Sequence, residues 1–508
     1  MTEGPKLEAP HGTLHIGGPA EAQLHSADTL KRSFLVPLAV AALARAAPLA
    51  FGFEHYGDAP VRIELAERWA AQPHLWHGYL ETYQYGPLHL TLVGALLRLL
   101  GDRLVAARLL SLITGLAGVW LLHKIAERER GPEAGFWAAL GLALSPLHIQ
   151  ASTTGASEAP FLALFLGAAF LVLRGQIVAP ALLLAAAGLV RYDGWLYVPL
   201  LGGLLLWRRR GLVRAAAFSA VAFAPAVFWM WVNARWAGDP LAPIHRIDRD
   251  HAELARMALA ASGPFWARLN ALLYWPLAVC VVATPALGVL ALWGSARALR
   301  LRQPGWDLVA VAWIPALYLT FRAAVLADFH PMARFTMVSA SLSLVFASDA
   351  LALLARPARA ISAAVAVATP LVLAALCWNR TGPAAEWARP VAPIGSLPPG
   401  IGEAALWLRA NAKEGDLVLL DDSSYFLDIP LAFASRLPES KLLRARWTDD
   451  FEQRSSRRSP TLAVLVERGR LGDPRSERFD FRGLSFCAAQ RYTYATVYRR
   501  CAPIGATP

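Results

Sequence analysis

From residue 34 to residue 378, apolar runs of 14 to 23 residues follow one another with short polar breaks between them. A helix needs about 20 such residues to cross roughly 30 Å of hydrocarbon, and a water-soluble core could not hide so many. The composition agrees, with 56% hydrophobic residues, 17% charged residues and a mean hydropathy of +0.39. The expectation is a polytopic α-helical membrane protein of about eleven transmembrane helices, closed by a C-terminal soluble α/β domain. Residues 1–30 are polar, rich in Gly, Pro and His, and carry no apolar signal segment, so they read as a disordered cytoplasmic tail. Residues 31–378 form the membrane domain, and the texture changes at 379–508 to that of an extracytoplasmic domain.

The expected spans are 34–51, 104–122, 135–151, 158–174, 177–190, 194–207, 213–232, 272–294, 306–321, 335–355 and 360–378. With the N-terminus inside, the inner turns hold Lys31 and Arg32, then Lys124, Arg128 and Arg130, then Arg174, then Arg208 to Arg210 and Arg214, then Arg297, Arg300 and Arg302, then Arg356 and Arg359. Each inner turn therefore satisfies the positive-inside rule. Two readings preserve this parity. The run 85–100, which opens on Gly86-Pro87 and contains His89 and Arg98, is a surface helix rather than a span. The run 178–207 is two short helices broken at Arg191-Tyr192-Asp193-Gly194. The outer face then receives two long loops (52–103 and 233–271), short turns, and the C-terminal domain.

Ionisable groups at membrane depth are costly and point to function. Asp58 lies directly after the first span and before a helix bearing Arg62, Glu64, Glu67 and Arg68. It reads either as a base, an acceptor-holding carboxylate or a metal ligand, or as a helix N-cap followed by Pro60. Glu158 opens the fourth span, where a helix dipole favours a carboxylate in any case. Arg191 and Asp193 flank the break between two helices and pair with each other or line a wet cavity. Arg334 stands at the outward N-terminal end of a helix, which disfavours a cation, so it needs an anionic partner: Asp328 or a ligand phosphate. The aromatic residues of the two long loops read as interfacial belt residues, with some available to stack on a sugar.

The charge of +12 is spread over short clusters between apolar runs, which argues for orientation rather than nucleic-acid binding. The sequence indicates no cofactor and no metal set. Cys280 and Cys377 lie in apolar helices, which leaves Cys487 and Cys501 as the candidate pair. The C-terminal segment reads as a helix at 402–412, strands at 417–420 and 462–466, and an aromatic hairpin through Tyr492, Tyr494 and Tyr498. Asp421-Asp422-Ser423-Ser424 is a polar turn after a strand, or a faint metal or phosphate loop.

This layout resembles the GT-C glycosyltransferases, in particular the family 39 group of protein mannosyltransferases, aminoarabinose transferases and related bacterial enzymes. Gly57-Asp58 followed by Arg62 resembles the family's first-loop acidic motif, with Ala59 in place of a second acid. Tyr85-Gly86-Pro87-Leu88 and then Arg108 resemble its proline-led surface helix and the arginine that follows. Leu144-Ser145-Pro146 leading to Glu158, Arg191-Tyr192-Asp193-Gly194, and His330-Pro331-Met332-Ala333-Arg334-Phe335 resemble three further elements, in the family's order and on one side. The resemblance implies transfer of a sugar from a polyprenyl-phosphate donor to a lipid, glycan or protein acceptor, outside a bacterial inner membrane and with inversion. It implies Asp58 as the base, Arg334 and Arg191 on phosphate, and Glu158, Asp193, His330 and Arg62 in substrate binding, under a loop carrying His245, Arg246 and Arg249. The alternative is a transporter or lipid flippase with an outer accessory domain. The chain shows no internal repeat of the kind such carriers often have, and its long loops lie on one face.

Overall fold

The computed structural model describes residues 19–378, 383–422, 427–445, 459–467 and 469–501. The first part is helical. Helix α1 (Pro19–Phe51) is followed by α2 (Ala59–Ala71), α3 (Tyr79–Thr82) and α4 (Pro87–Leu100), which together build the first loop. Then come α5 (Arg103–Arg130), α6 (Pro132–Leu144), α7 (Pro146–Ala151), α8 (Glu158–Leu173), α9 (Val178–Val190), α10 (Gly194–Trp207) and α11 (Leu212–Ala237). Helices α12 (Ala242–Ser262), α13 (Pro264–Val282), α14 (Pro285–Leu301), α15 (Asp307–Phe321), α16 (Met337–Leu344), α17 (Ala347–Ala352) and α18 (Arg356–Cys377) complete this part.

Among the described residues, six helices are long and apolar enough to cross a membrane: 34–51 of α1, α5, α11, α13, α15 with its π-helical extension to Leu326, and α18. Many large apolar side chains face outward on them, such as Leu43 and Phe51 on α1 and Leu317 on α15, as expected where lipid replaces water as solvent. The shorter apolar helices α8, α9 and α10 are the more enclosed ones; Phe165, Leu184 and Leu201 are fully buried.

The arginine-rich turns gather at one end of the bundle. Arg208 forms ion pairs with Glu129 (2.9 Å) and Asp307 (2.7 Å), Arg130 pairs with Asp349 and donates to Gln303 (3.2 Å), and Arg128 donates to the Leu173 carbonyl. The chain therefore reverses between Arg191 and Gly194, as the sequence suggested, and not after one long helix. Three expectations need correction. The apolar run 272–294 is not one continuous helix: it turns sharply at Thr284 (φ 68°) ahead of Pro285, so tightly that a Cβ on Gly288 would lie 2.4 Å from the Cys280 Cα. The run 335–355 is interrupted at Val345-Phe346 between α16 and α17, and the run 135–151 at Ser145-Pro146, where the Ser145 hydroxyl accepts from the His148 N–H. Helicity also begins at Pro19, inside the expected tail, whose residues 1–18 lie outside the described residues.

The C-terminal part contains α19 (Pro383–Ala388), α20 (Ile401–Asn411), α21 (Asp428–Ser435) and six strands, β1 (Val418–Leu420), β2 (Leu442–Arg444), β3 (Leu462–Val466), β4 (Arg478–Phe481), β5 (Leu484–Arg491) and β6 (Ala495–Arg500). They form one sheet in the order β2-β1-β3-β6-β5-β4, parallel at β2-β1-β3 and antiparallel beyond. All residues of β1 and β3 are buried, as expected for strands covered on both faces. The Cys487–Cys501 disulfide is formed, with a Cα–Cα distance of 5.2 Å. The domain is anchored to the first loop: Ile429 and Phe433 of α21 join the apolar cluster around α2 and α4, and Arg444 grips Glu64 through two bonds of 2.7 and 3.0 Å.

Candidate active site

The first loop is built around α2. Gly57 takes a left-handed φ of 49°, and a Cβ there would meet Arg334 Nη1 at 2.8 Å, so a residue without a side chain allows the loop to approach the guanidinium. Asp58 occupies the N-cap position of α2, yet its side chain makes no cap bond. It accepts instead from Arg334 Nη1 at 3.0 Å, across 276 residues of sequence. The capping alternative for Asp58 is thereby excluded for its carboxylate. Asp328 is likewise not the partner of Arg334: it pairs with Arg322 (3.0 Å), which also holds Asp248 of α12 (2.8 Å).

The break between α9 and α10 supplies the second half of the site. Arg191 is buried and takes three acceptors, Glu158 at 2.6 Å, Asp193 at 2.8 Å and the Ser157 hydroxyl at 3.3 Å. Glu158 therefore positions Arg191, and the break is fastened to the first loop by Tyr192, whose hydroxyl donates to the Tyr85 carbonyl (2.9 Å) and accepts from Trp229 (3.0 Å). Gly86 makes this contact possible, because a Cβ there would lie 2.2 Å from the Leu189 carbonyl oxygen. The Phe335 ring stacks near both Arg191 and Arg334, with guanidinium carbons 5.8 and 5.5 Å from its centroid.

Arg62 completes the constellation. It is buried, stacks on Tyr85 (4.2 Å), and its Nη1 has no hydrogen-bond partner among the described residues. Arg334 Nε and the Tyr56 hydroxyl are buried and unpartnered in the same sense. Burial pushes the Asp58 carboxyl up, but the nearby guanidiniums of Arg334, Arg62 and Arg191 outweigh it and hold its pKa below the ordinary value. Asp58 is thus ionised at neutral pH, beside buried N–H donors that have no partner among the described residues. An unsatisfied buried donor costs about 1–3 kcal/mol and more when charged, so such a group is a place for an anionic ligand.

His330 contributes its carbonyl, which accepts from His251 Nδ1 of α12 at 3.0 Å. The long loop that carries His245, Arg246 and Arg249 forms the amphipathic helix α12. Its Arg246 stacks on Tyr83 (5.3 Å), while His245 pairs with Asp239 and Arg249 donates to the His245 carbonyl. Ala59 is buried in the first turn of α2 and leaves no second carboxylate beside Asp58. Sequence reasoning missed Tyr56, Tyr85 and His251. It also missed the clamp of Arg108 on Glu54 (3.0 Å), whose other oxygen accepts from the Gly155 N–H at 2.6 Å. Of the polar turn in the C-terminal domain, residues 423–426 lie outside the described residues. The Asp421 carboxylate accepts backbone N–H bonds from Arg470 (2.8 Å) and Leu471 (3.1 Å).

The bundle, the loop built on α2 and the outer sheet domain together define the fold of GT-C glycosyltransferases, and the resemblance read from the sequence holds for the fold. Residues 84–232 match the family described as dolichyl-phosphate-mannose-protein mannosyltransferase, a stretch that carries Tyr85, Glu158, Arg191 and Asp193. Among solved structures, ArnT from Cupriavidus metallidurans bound to undecaprenyl phosphate superposes with a TM-score of 0.57 at 16% identity, over 93% of this chain and 99% of that one. Its apo state gives 0.54 over the same shares, also at 16% identity. The Archaeoglobus fulgidus oligosaccharyltransferase, tethered with an acceptor peptide, is a weaker likeness, with a TM-score of 0.46 at 12% identity over 86% of this chain and 69% of that one. No curated protein matches the chain by sequence.

Proposed function

We propose that this protein is a membrane glycosyltransferase that moves a sugar from a polyprenyl-phosphate donor to an acceptor at the outer end of the bundle. The observation that carries the reading is the set of buried, unpartnered donors, Arg62 Nη1 and Arg334 Nε, beside the ionised Asp58. Guanidinium suits a phosphate because it stays charged and offers several N–H groups in a fixed plane; Arg334 donates from Nη1 to Asp58 and keeps Nε for a ligand. The undecaprenyl phosphate bound by ArnT supports a lipid-linked donor.

In this reading Asp58 orients the acceptor and takes its proton as the nucleophile attacks the sugar C1. The bond from C1 to the phosphate oxygen breaks, and the charge left on the phosphate falls on Arg62 and Arg334. A single displacement inverts the anomeric centre. Arg191, locked by Glu158 and Asp193, shapes the donor pocket, and His330 borders it through the contact with α12. We read eleven net crossings, with α13 and α14 counted as one bent passage, the N-terminus cytoplasmic, and the C-terminal domain outside a bacterial inner membrane. The gathering of arginine turns at the end opposite Asp58 supports that orientation.

The test is transfer of radiolabelled sugar in membranes from a panel of polyprenyl-phosphate sugars, comparing the natural chain with Asp58→Asn at equal expression. Transfer that the substitution abolishes is expected. Undiminished transfer by Asp58→Asn removes the carboxylate from the mechanism.

A further inference from the structure

The first loop carries a second cluster that the Asp58 site does not use. Between α2 and α3, His74 and His77 stand three residues apart, and Glu81 follows four residues later in α3. His74 Nε2 lies 2.9 Å from Glu81 Oε2, and His77 Nδ1 lies 2.7 Å from Glu81 Oε1. The candidate ligand atoms of all three residues lie within 4.8 Å of one another.

The hydrogen bonds behind these groups fix how they face. His74 Nδ1 is 2.6 Å from the Gln72 carbonyl, which can only accept, so this nitrogen carries the hydrogen. In the neutral ring Nε2 then turns a lone pair toward a carboxylate oxygen 2.9 Å away, and in the imidazolium it donates to that oxygen. Two acceptors do not sit so close unless a cation lies between them, either a proton or a metal ion. A backbone carbonyl that holds the far nitrogen of an imidazole is also the arrangement that orients histidine ligands at metal sites.

The cluster is held from several sides. Trp69 Nε1 donates to the His74 carbonyl (2.8 Å), the His77 ring packs on Trp236 of α11 (4.3 Å), and the Tyr79 N–H donates to Asn233 of α11 (2.7 Å). With Zn–N bonds of about 2.0–2.1 Å and Zn–O bonds of about 2.0–2.2 Å, tetrahedral ligand atoms stand about 3.3–3.5 Å apart. The side chains need to open by roughly half an ångström to reach that spacing. Side-chain exposures of 37%, 43% and 30% leave room for the movement and for a water in the fourth position.

We propose that His74 Nε2, His77 Nδ1 and the Glu81 carboxylate bind one divalent transition-metal ion, Zn2+ by ligand type. The ion ties the α2–α3 loop to itself and against the end of α11. It acts as a clamp on the strand of chain leading to Tyr83 and Tyr85, and it takes no part in the chemistry at Asp58. The proposal stands whether or not the chain transfers sugars.

The experiment uses the full chain purified in detergent, stripped with a chelator and titrated with Zn2+ and, for its visible absorption, Co2+. One ion per chain is expected. Glu81→Gln, which keeps the side chain's shape, and the double change His74→Ala with His77→Ala should each weaken binding by more than the roughly 10- to 100-fold typical of losing an outer partner. His245→Ala, a change at another loop histidine, should leave binding as it was. Elution as a single species shows that each variant is folded. Failure to saturate at one equivalent, or equal affinity in Glu81→Gln, overturns the site and leaves a proton as the bridge.

Discussion

Replacing Gly86 by alanine tests how the first loop is seated against the break between α9 and α10. The added Cβ would lie 2.2 Å from the Leu189 oxygen, 2.8 Å from the Leu189 carbonyl carbon and 2.9 Å from the Val190 oxygen. All three are backbone atoms, so no flexible side-chain end can move aside. Restoring an ordinary 3.4 Å contact requires the loop to retreat by about 1.2 Å (3.4 minus 2.2). That retreat breaks the 2.9 Å bond from Tyr192 to the Tyr85 carbonyl, worth about 1 kcal/mol. Overpacking costs a further 1–3 kcal/mol or so, for a total of about 2–4 kcal/mol. Because Arg62 rests on the Tyr85 ring, a displacement of this size should also lower kcat/KM by roughly 100-fold, the scale expected for a misplacement of about 1 Å. Thermal unfolding in detergent and transfer kinetics measure the two effects separately. A Gly86→Ala protein with natural Tm and natural kcat/KM would refute the packing argument.

Other perturbations follow from the same contacts. Arg334→Gln removes the largest of the charges that lower the Asp58 pKa and leaves Arg62 and Arg191 to oppose burial, so the pKa rises. Transfer that needs ionised Asp58 should therefore lose its acid limb at higher pH than in the natural chain, as a pH–rate profile would show; an unmoved limb contradicts the pairing. Glu158→Gln leaves buried Arg191 with Asp193 as its remaining carboxylate beside the Ser157 hydroxyl, so about 1–3 kcal/mol of stability should be lost, less than the roughly 3–5 kcal/mol for a fully abandoned buried charge. Calorimetry of that variant decides the point, and Glu158→Asp should recover part of the loss. In the outer domain, Asp421→Ala strips the acceptor from the backbone N–H groups of Asp422, Val466, Arg470 and Leu471 and should cost about 2–4 kcal/mol, read as earlier proteolysis of that domain.

What the sequence disclosed and what it withheld divide along a physical line. Hydropathy and charge placed α8, α9 and α10 within a residue at each end and located the reversal at Arg191, because both signals are local and the arginines between helices fix sidedness. The same averaging concealed the turn at Thr284-Pro285, since lipid and protein interior are equally apolar and a run of such residues shows no bend; Pro285 at the start of α14 was the available signal. The partner of Arg334 was also out of reach. Its helix position asked for an anion, but only folding brings Asp58 across 276 residues, and the nearer Asp328 is claimed by Arg322. Tyr56 and Tyr85 are loop aromatics by sequence, and their place beside the guanidiniums depends on Gly57 and Gly86 allowing close approach. His74, His77 and Glu81 gave no metal signal in the sequence; folding brings their ligand atoms within 4.8 Å of one another.

The central claim is that the unpartnered N–H groups beside Asp58 receive a lipid-linked phosphate. Binding of a polyprenyl phosphate to the purified protein, compared among the natural chain, Arg62→Ala and Arg208→Ala, tests it most directly. Arg208 lies at the opposite end of the bundle, in a closed network with Glu129 and Asp307. Loss of the Arg62 contact should weaken binding by about 10- to 100-fold, equal to roughly 1.4–2.7 kcal/mol for a charged hydrogen bond, with Arg208→Ala unchanged. Equal affinity for the natural chain and Arg62→Ala would contradict the account.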